Sequence, residues 1–323
     1  MILGQDQALA QFEAAWAART LHHAWLVAGP RGVGKAAFAR LAATRVLAEA
    51  AGPAIDLPGL QTPPEHPMAR LVEAGSHPDM RWLERLENPK TGALSRNISV
   101  EQVRALGELF GSTPFMSPWR VVVIDAIDDL EPSAANALLK MLEEPPSNCL
   151  FLLVSHAPGR LLPTIRSRCR RLDFQRLGDD VMASIIALQK PGVGAEERDR
   201  IVGMAGGSAG RAAALADLDL APLEQAALAI LRDGDPTNGR RAELAVELGR
   251  KGAAERYAAF LELVPSLVAR EARGLGGGQR TRALDAYARS RELTALAPRL
   301  SLDPAATVFQ LGGILAAVAA PLP

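Results

Sequence analysis

The sequence is poor in aromatic residues and cysteine, and it carries no net charge. Aromatics make up 4% of its 323 residues, while alanine and leucine are abundant, which favours helix-rich packing over a β-sandwich. Cys149 and Cys169 are the only cysteines. They exclude a disulfide framework and a cysteine-rich zinc site, and they read as buried, reduced thiols of a cytoplasmic protein. Lys plus Arg and Asp plus Glu are both 36, which argues against a dedicated, strongly basic DNA-binding domain and leaves only local patches. The N-terminal stretch has no basic region followed by an apolar core, so no signal peptide is expected. The apolar run Leu311 to Pro323 is 13 residues long, short of the roughly 20 a spanning helix needs, and predicts a buried terminal helix. His22, His23, His66, His77 and His156 lack metal-ligand spacing, and the adjacent pair His22 and His23 is expected to point apart. No local Ser/His/Asp or Cys/His set is present.

What is there has a clear order. Leu9, Phe12 and Trp16 at helical spacing predict an amphipathic helix over 5–20. A short buried strand, Ala24 to Ala28, runs into the glycine turn of GPRGVGKAAFARLA, and a helix opens at Gly34. Residues 51–79, with prolines at 53, 58, 63, 64, 67 and 78, predict a long irregular insertion. MRWLE suggests a short strand. SVEQVRALGELF predicts one capped helix from Ser99 to Phe110, with Gln102 closing a capping box and Val103, Leu106, Leu109 and Phe110 facing inward. RVVVIDA and CLFLLVS, apolar on both faces, read as buried parallel strands around the helix SAANALLKMLEE, which Pro145-Pro146 stops. Strands alternating with helices imply a doubly wound α/β domain, residues 1–176. Beyond it the strand signals cease. Helices broken at 191–194, 206–210, 234–238 and 274–278 predict a small helical domain over about 177–230 and a second over 231–323.

Three elements carry chemistry. The first is the loop, where Gly29, Gly32 and Gly34 allow close backbone approach to phosphate oxygens and Lys35 reaches the outer phosphates. The residue after that lysine ordinarily gives a hydroxyl to Mg²⁺; here it is Ala36. The second is Asp125, at the end of a buried strand, where such folds hold Mg²⁺ through water. Ala126 follows it where a hydrolysing motor has a glutamate, and Asp128 and Asp129 are expected to point elsewhere. The third is RSRCRR, residues 166–171. Spacing alone leaves open a solvated basic edge, a phosphate-backbone patch and an arginine projected onto a neighbour's nucleotide.

The run SPWRVVVIDAIDDLEPSAANALLKMLEEPPSNCLFLLVSHAPGRLLPTIRSRC, with LHHAWLVAGPRGVGKAAFA upstream, resembles the bacterial clamp-loader AAA+ family. Its members are the gamma/tau and delta-prime subunits of DNA polymerase III. ANALLKMLEEPP together with Ser167-Arg168-Cys169 is highly specific, and the resemblance is strong over about 1–175. It implies an AAA+ P-loop module, then all-α lid and collar domains, the collar holding subunits in a ring. It implies that Arg168 acts as an arginine finger in trans. Ser155 and His156 fall at one sensor position and Arg211 at a second, phosphate-binding one, and Lys140 would contact DNA weakly. The partners it implies are gamma/tau and delta subunits, with the sliding clamp and primed DNA met through the complex, and no membrane.

The departures bring the chain closer to the delta-prime branch, which keeps the finger and has lost the chemistry. Ala36 and Ala126 remove two independent parts of a hydrolytic site. Little chain precedes Gly4-Gln5 to pack against adenine, so no cofactor is expected to be required and ATP, ADP and Mg²⁺ binding is weakened. Many relatives carry a zinc module in the insertion, which is expected to be metal-free here because it has no cysteine. Two further readings are an ATPase in its own right, and a nucleic-acid module using Lys140, Arg166, Arg168, Arg170 and Arg171.

Overall fold

Short runs of Val, Leu and Ile, apolar on both faces, assemble into a parallel sheet. The computed structural model describes residues 2–87, 94–111 and 113–319. They fall into two units, Met1–Val181 with Gly207–Gly210, and Met182–Gly206 with Arg211–Pro323. The sheet lies in the first unit. Its strands are β1 (Ala24–Ala28), β2 (Met80–Leu83), β3 (Arg120–Asp125), β4 (Cys149–Ser155) and β5 (Arg170–Asp173), in the spatial order β2-β3-β4-β1-β5. All pairs are parallel, with Ala24 opposite Phe151 and Arg120 opposite Cys149. β1 and β4 are buried at every residue, as strands covered on both faces must be.

Helices cover the two faces. α1 (Asp6–Ala17) and α2 (Lys35–Ala50) pack Phe12 and Phe38 against Trp25, Val27, Val121 and Leu152. α3 (Pro67–Glu73) follows in the insertion. On the other face α4 (Val100–Arg104), α5 (Leu106–Gly111) and α6 (Pro132–Glu143) pack Val103, Leu106 and Leu138 against Leu26, Ile124 and Phe151. α7 (Pro163–Arg166) leads into β5.

Three expectations change in detail. Ser99 caps its helix with the reciprocal Gln102 box, but the helix over 99–110 is two short ones. At Ala105 the chain tightens, and the Glu108 N–H reaches back only to the Ala105 carbonyl. Val103, Leu106 and Leu109 are buried and Phe110 packs on Phe151, so the inward face survives the break. The insertion over 51–79 is not wholly irregular: α3 starts at Pro67, and the His66 side chain accepts the Met68 N–H. The buried Arg45 of α2 ties the segment down, donating to the carbonyls of Leu57 at 3.0 Å and Gln61 at 2.7 Å. His22 and His23 do not point apart; their ring centroids are 4.3 Å from each other. Cys149 is buried and Cys169 half-buried, and burial pushes both thiols up to about 12, far from nucleophilic at neutral pH.

The second unit is helical. It holds α8 (Asp179–Gln189, which enters it at Met182), α9 (Ala195–Ala205), α10 (Ala209–Ala216, which enters it at Arg211), α11 (Ala221–Asp233), α12 (Gly239–Leu248), α13 (Ala254–Ala272), α14 (Gly277–Leu300) and α15 (Pro304–Ala319). α15 contains most of the apolar terminal run and buries Val308, Leu311, Ile314, Leu315 and Val318 against α11, α12 and α14. α11, assigned from the sequence to the end of the first helical domain, packs on α13 and α15. Glu224 of α11 is buried and paired with Arg200 of α9 and, at 2.6 Å, with Arg270 of α13. Among the described residues no helix is long and apolar enough to cross a membrane.

Asp79, before β2, is 2% exposed and accepts the N–H groups of Phe115, Met116 and Ser117 at 2.6, 2.7 and 2.9 Å. Burial opposes its charge, but the three donors outweigh it and hold the carboxyl below its ordinary value. Such a group stabilises the fold above its unfolded pKa of about 3.9 and loses that contribution as the pH falls through the lower folded value. Asp79→Ala should cost about 1–3 kcal/mol at pH 7. In urea titrations its gap to wild type should narrow on acidification through and below about pH 4.

Candidate nucleotide loop and arginine site

Parallel register decides which side chains meet. Ala28 of β1 lies opposite Ser155 of β4, and Val154 lies opposite Asp125 of β3. The glycine loop, Asp125 and the Ser155–His156 turn therefore leave the sheet together at its carboxyl edge, where open α/β sheets bind ligands. Gly29 has φ 150°, and a Cβ there would lie 2.2 Å from the Phe174 carbonyl oxygen. Gly32 has φ 72°, and a Cβ there would lie 2.1 Å from the Ser208 hydroxyl oxygen. Both positions require glycine. Gly34, in the left-handed region, is the N-cap of α2.

Lys35 is 3% exposed, and its ammonium donates to the Gly29 carbonyl at 2.7 Å and to the Pro30 carbonyl. Burial pulls it down to about 8, against the attraction of Asp125 and Asp128. Asp125 moves the other way: burial raises it, Glu84 adds to the rise, and Lys35 offsets part of it. Both shifts penalise the charged forms of Lys35 and Asp125. Ala36 sits half-buried in the first turn of α2 and Ala126 is 2% exposed, two methyl groups where Mg²⁺ and water chemistry would need oxygen.

The loop is also tied to distant parts of the first unit. The Gly32 carbonyl accepts the Gly210 N–H at 2.9 Å. Gln5, 4% exposed, donates to the carbonyls of Val33 at 3.3 Å and Gln175 at 2.8 Å and accepts the Gln175 N–H at 3.1 Å. Sequence reasoning missed Gln5; its only local signal is a polar residue at the head of an amphipathic helix.

Asp128 corrects an expectation. It does not point elsewhere: its carboxylate accepts the Ser155 hydroxyl at 3.0 Å and the N–H groups of His156 and Ala157 at 2.6 and 3.1 Å. It fixes the chain where β4 ends. Asp129 is 3.4 Å from Arg85. Burial, then Lys35 and Arg31, lower the His156 pKa, and its Nδ1 is buried without a protein partner. A groove of about 840 Å³ runs beside the loop tip between Arg31, Asp128, His156 and Arg160; Lys35 and Asp125 do not line it.

Arg168 lies at the opposite edge. β5 runs parallel to β1, with Trp25 opposite Arg170 and Ala28 opposite Asp173, so the turn after α7 is at the amino edge of the sheet. There the Arg168 guanidinium donates to the Thr164 carbonyl at 2.9 Å and pairs with Glu143, the last residue of α6, at 2.9 Å. About a third of the side chain remains exposed. Of the neighbouring arginines, Arg170 stacks over Trp25 and Arg171 pairs with Asp173. Lys140 is exposed on α6. Arg211 belongs to the second unit, where it forms an ion pair with Glu262 of α13.

A family described as "DNA polymerase III, delta subunit" matches residues 4–178. A DNA polymerase III subunit delta' of Pseudomonas aeruginosa is 36% identical over 189 residues, 58% of this chain and 53% of that protein. The Bacillus subtilis subunit tau is 32% identical over 176 residues, 54% of this chain and 29% of that protein. The matched stretch thus spans about half the length of the delta' relative and less of tau. A solved gamma subunit-related protein of Thermotoga maritima is 16% identical, with a TM-score of 0.42 over 95% of this chain and 98% of that one. The match to the family model covers more than half of the chain, which belongs to this DNA polymerase III family.

The buried lysine has a measurable consequence. Between its folded value of about 8 and its ordinary 10.5, the unfolded chain binds the extra proton, so stability rises with pH. In urea unfolding, wild type should gain stability relative to Lys35→Met as the pH rises from about 8 to about 10. A difference that does not change with pH would mean the ammonium is solvated.

Proposed function

We propose that this chain, a clamp-loader family subunit, serves as a largely non-hydrolysing stator in a DNA polymerase III loader ring and gives Arg168 to the neighbouring subunit's ATP. The observation that carries the reading is the separation of the two sites. The loop and Asp125 are at the carboxyl edge of the sheet, and Arg168 is at the amino edge. An arginine so placed cannot serve its own loop, and it meets a nucleotide only on another subunit. Ala36 and Ala126 deprive the home loop of a metal-holding hydroxyl and a water-polarising carboxylate, whereas a finger needs neither.

In this reading gamma/tau and delta subunits flank the chain, and the ring opens a sliding clamp and places it on primed DNA during replication. Exposed Lys140 meets the DNA backbone weakly. The division into AAA+ module, lid to about 230 and collar beyond it belongs to the same proposal. So does Arg211 as the lid arginine matched to a phosphate sensor. Neither ATP nor Mg²⁺ in this chain's own loop is required.

A second reading, a gamma/tau-like ATPase, is favoured by one observation: Lys35 and Asp125 are both retained, with Lys35 buried at the loop. It predicts Mg²⁺-dependent ATP turnover by the isolated chain.

A finger is worth about 10³–10⁵ in rate where it acts. In a loader reconstituted with this chain, Arg168→Ala should abolish the DNA- and clamp-stimulated ATP turnover that depends on the adjacent site, with the ring intact by size exclusion. Unchanged turnover would sink the finger. Turnover by the isolated chain would favour the second reading.

A further inference from the structure

We propose that Glu143 is a positioning residue for Arg168, presetting the guanidinium for a neighbour's phosphate; this rests on the finger reading above. Arg168 follows the short helix α7 in an exposed turn, and a free arginine there would sample many rotamers. Two acceptors remove that freedom. The Thr164 carbonyl, held in the backbone of α7, takes one terminal nitrogen at 2.9 Å, and the Glu143 carboxylate takes the other at 2.9 Å. Neither acceptor lies on β5. The arginine is thereby referred to α6, whose Leu138 and Leu142 are anchored in the core.

The chemistry leaves the finger able to act. A guanidinium carries five N–H donors, and these two contacts leave the remainder for a phosphate. The pair is partly exposed, 34% for Arg168 and 48% for Glu143, so it screens readily and competes weakly with a dianionic phosphate. Glu143 also sits at the negative end of the α6 dipole, where a carboxylate is disfavoured unless a cation answers it. Arg168 is that cation. LEE and SRC, far apart in sequence, are therefore two halves of one device, in which α6 carries the clamp and the turn after α7 carries the tool.

Holding a rotamer-rich side chain ready is worth about 3–10-fold when it binds. In the reconstituted loader, Glu143→Ala should lower the kcat of stimulated ATP turnover by about that factor, leaving KM for ATP and ring assembly unchanged. Glu143→Gln, which keeps an acceptor oxygen, should recover most of the rate. In an Arg168→Ala background Glu143→Ala should cost nothing more. Full rate in Glu143→Ala, or a further loss in the double variant, would overturn the proposal while leaving the finger in place. Full rate in Arg168→Ala would remove the finger and this role with it.

Discussion

The position of β1 between β4 and β5 is the constraint on which the first unit depends. β1 is five residues of apolar side chains, none more than 2% exposed. Because it pairs in parallel with both neighbours, everything that follows a strand leaves at one edge and everything that precedes one arrives at the other. The glycine loop, Asp125 and the Asp128-clamped turn are consequences of the first half of that statement. Arg168 and the end of α6 are consequences of the second.

Electrostatics then set the two edges apart. At the carboxyl edge, burial works against both Lys35 and Asp125, and Lys35 turns to the loop's own carbonyls. At the amino edge the ion pair of Arg168 and Glu143 is half in solvent, where attraction is weak and exchange is easy. The same fold thus keeps one basic group buried and committed and another presented and replaceable.

The second unit solves a different problem. Its helices carry few aromatic anchors, and α15 does most of the packing through Val, Leu and Ile. Glu224, buried between Arg200 and Arg270, links α9, α11 and α13 by charge. Losing either arginine leaves the other on Glu224, whereas losing both would strand a buried carboxylate.

Much of this was legible in the residues. The strand–glycine–helix order at 24–50, the two apolar strands around SAANALLKMLEE and the four helix breaks beyond 189 follow from period, glycine and proline, which act locally. The loop glycines and Lys35 were legible for the same reason, and so was the SRC turn by its resemblance to a known family. Gln5, Asp79, Asp128 and Glu143 were not, since each acts on backbone or side chains 20 or more residues away. The local sequence determined which segments are strands, loops and helices, because hydrophobic period and backbone freedom are properties of neighbours. Only the tertiary structure decided that the loop and Arg168 stand at opposite edges of one sheet, because strand order and register are set by packing between segments that the chain itself keeps far apart.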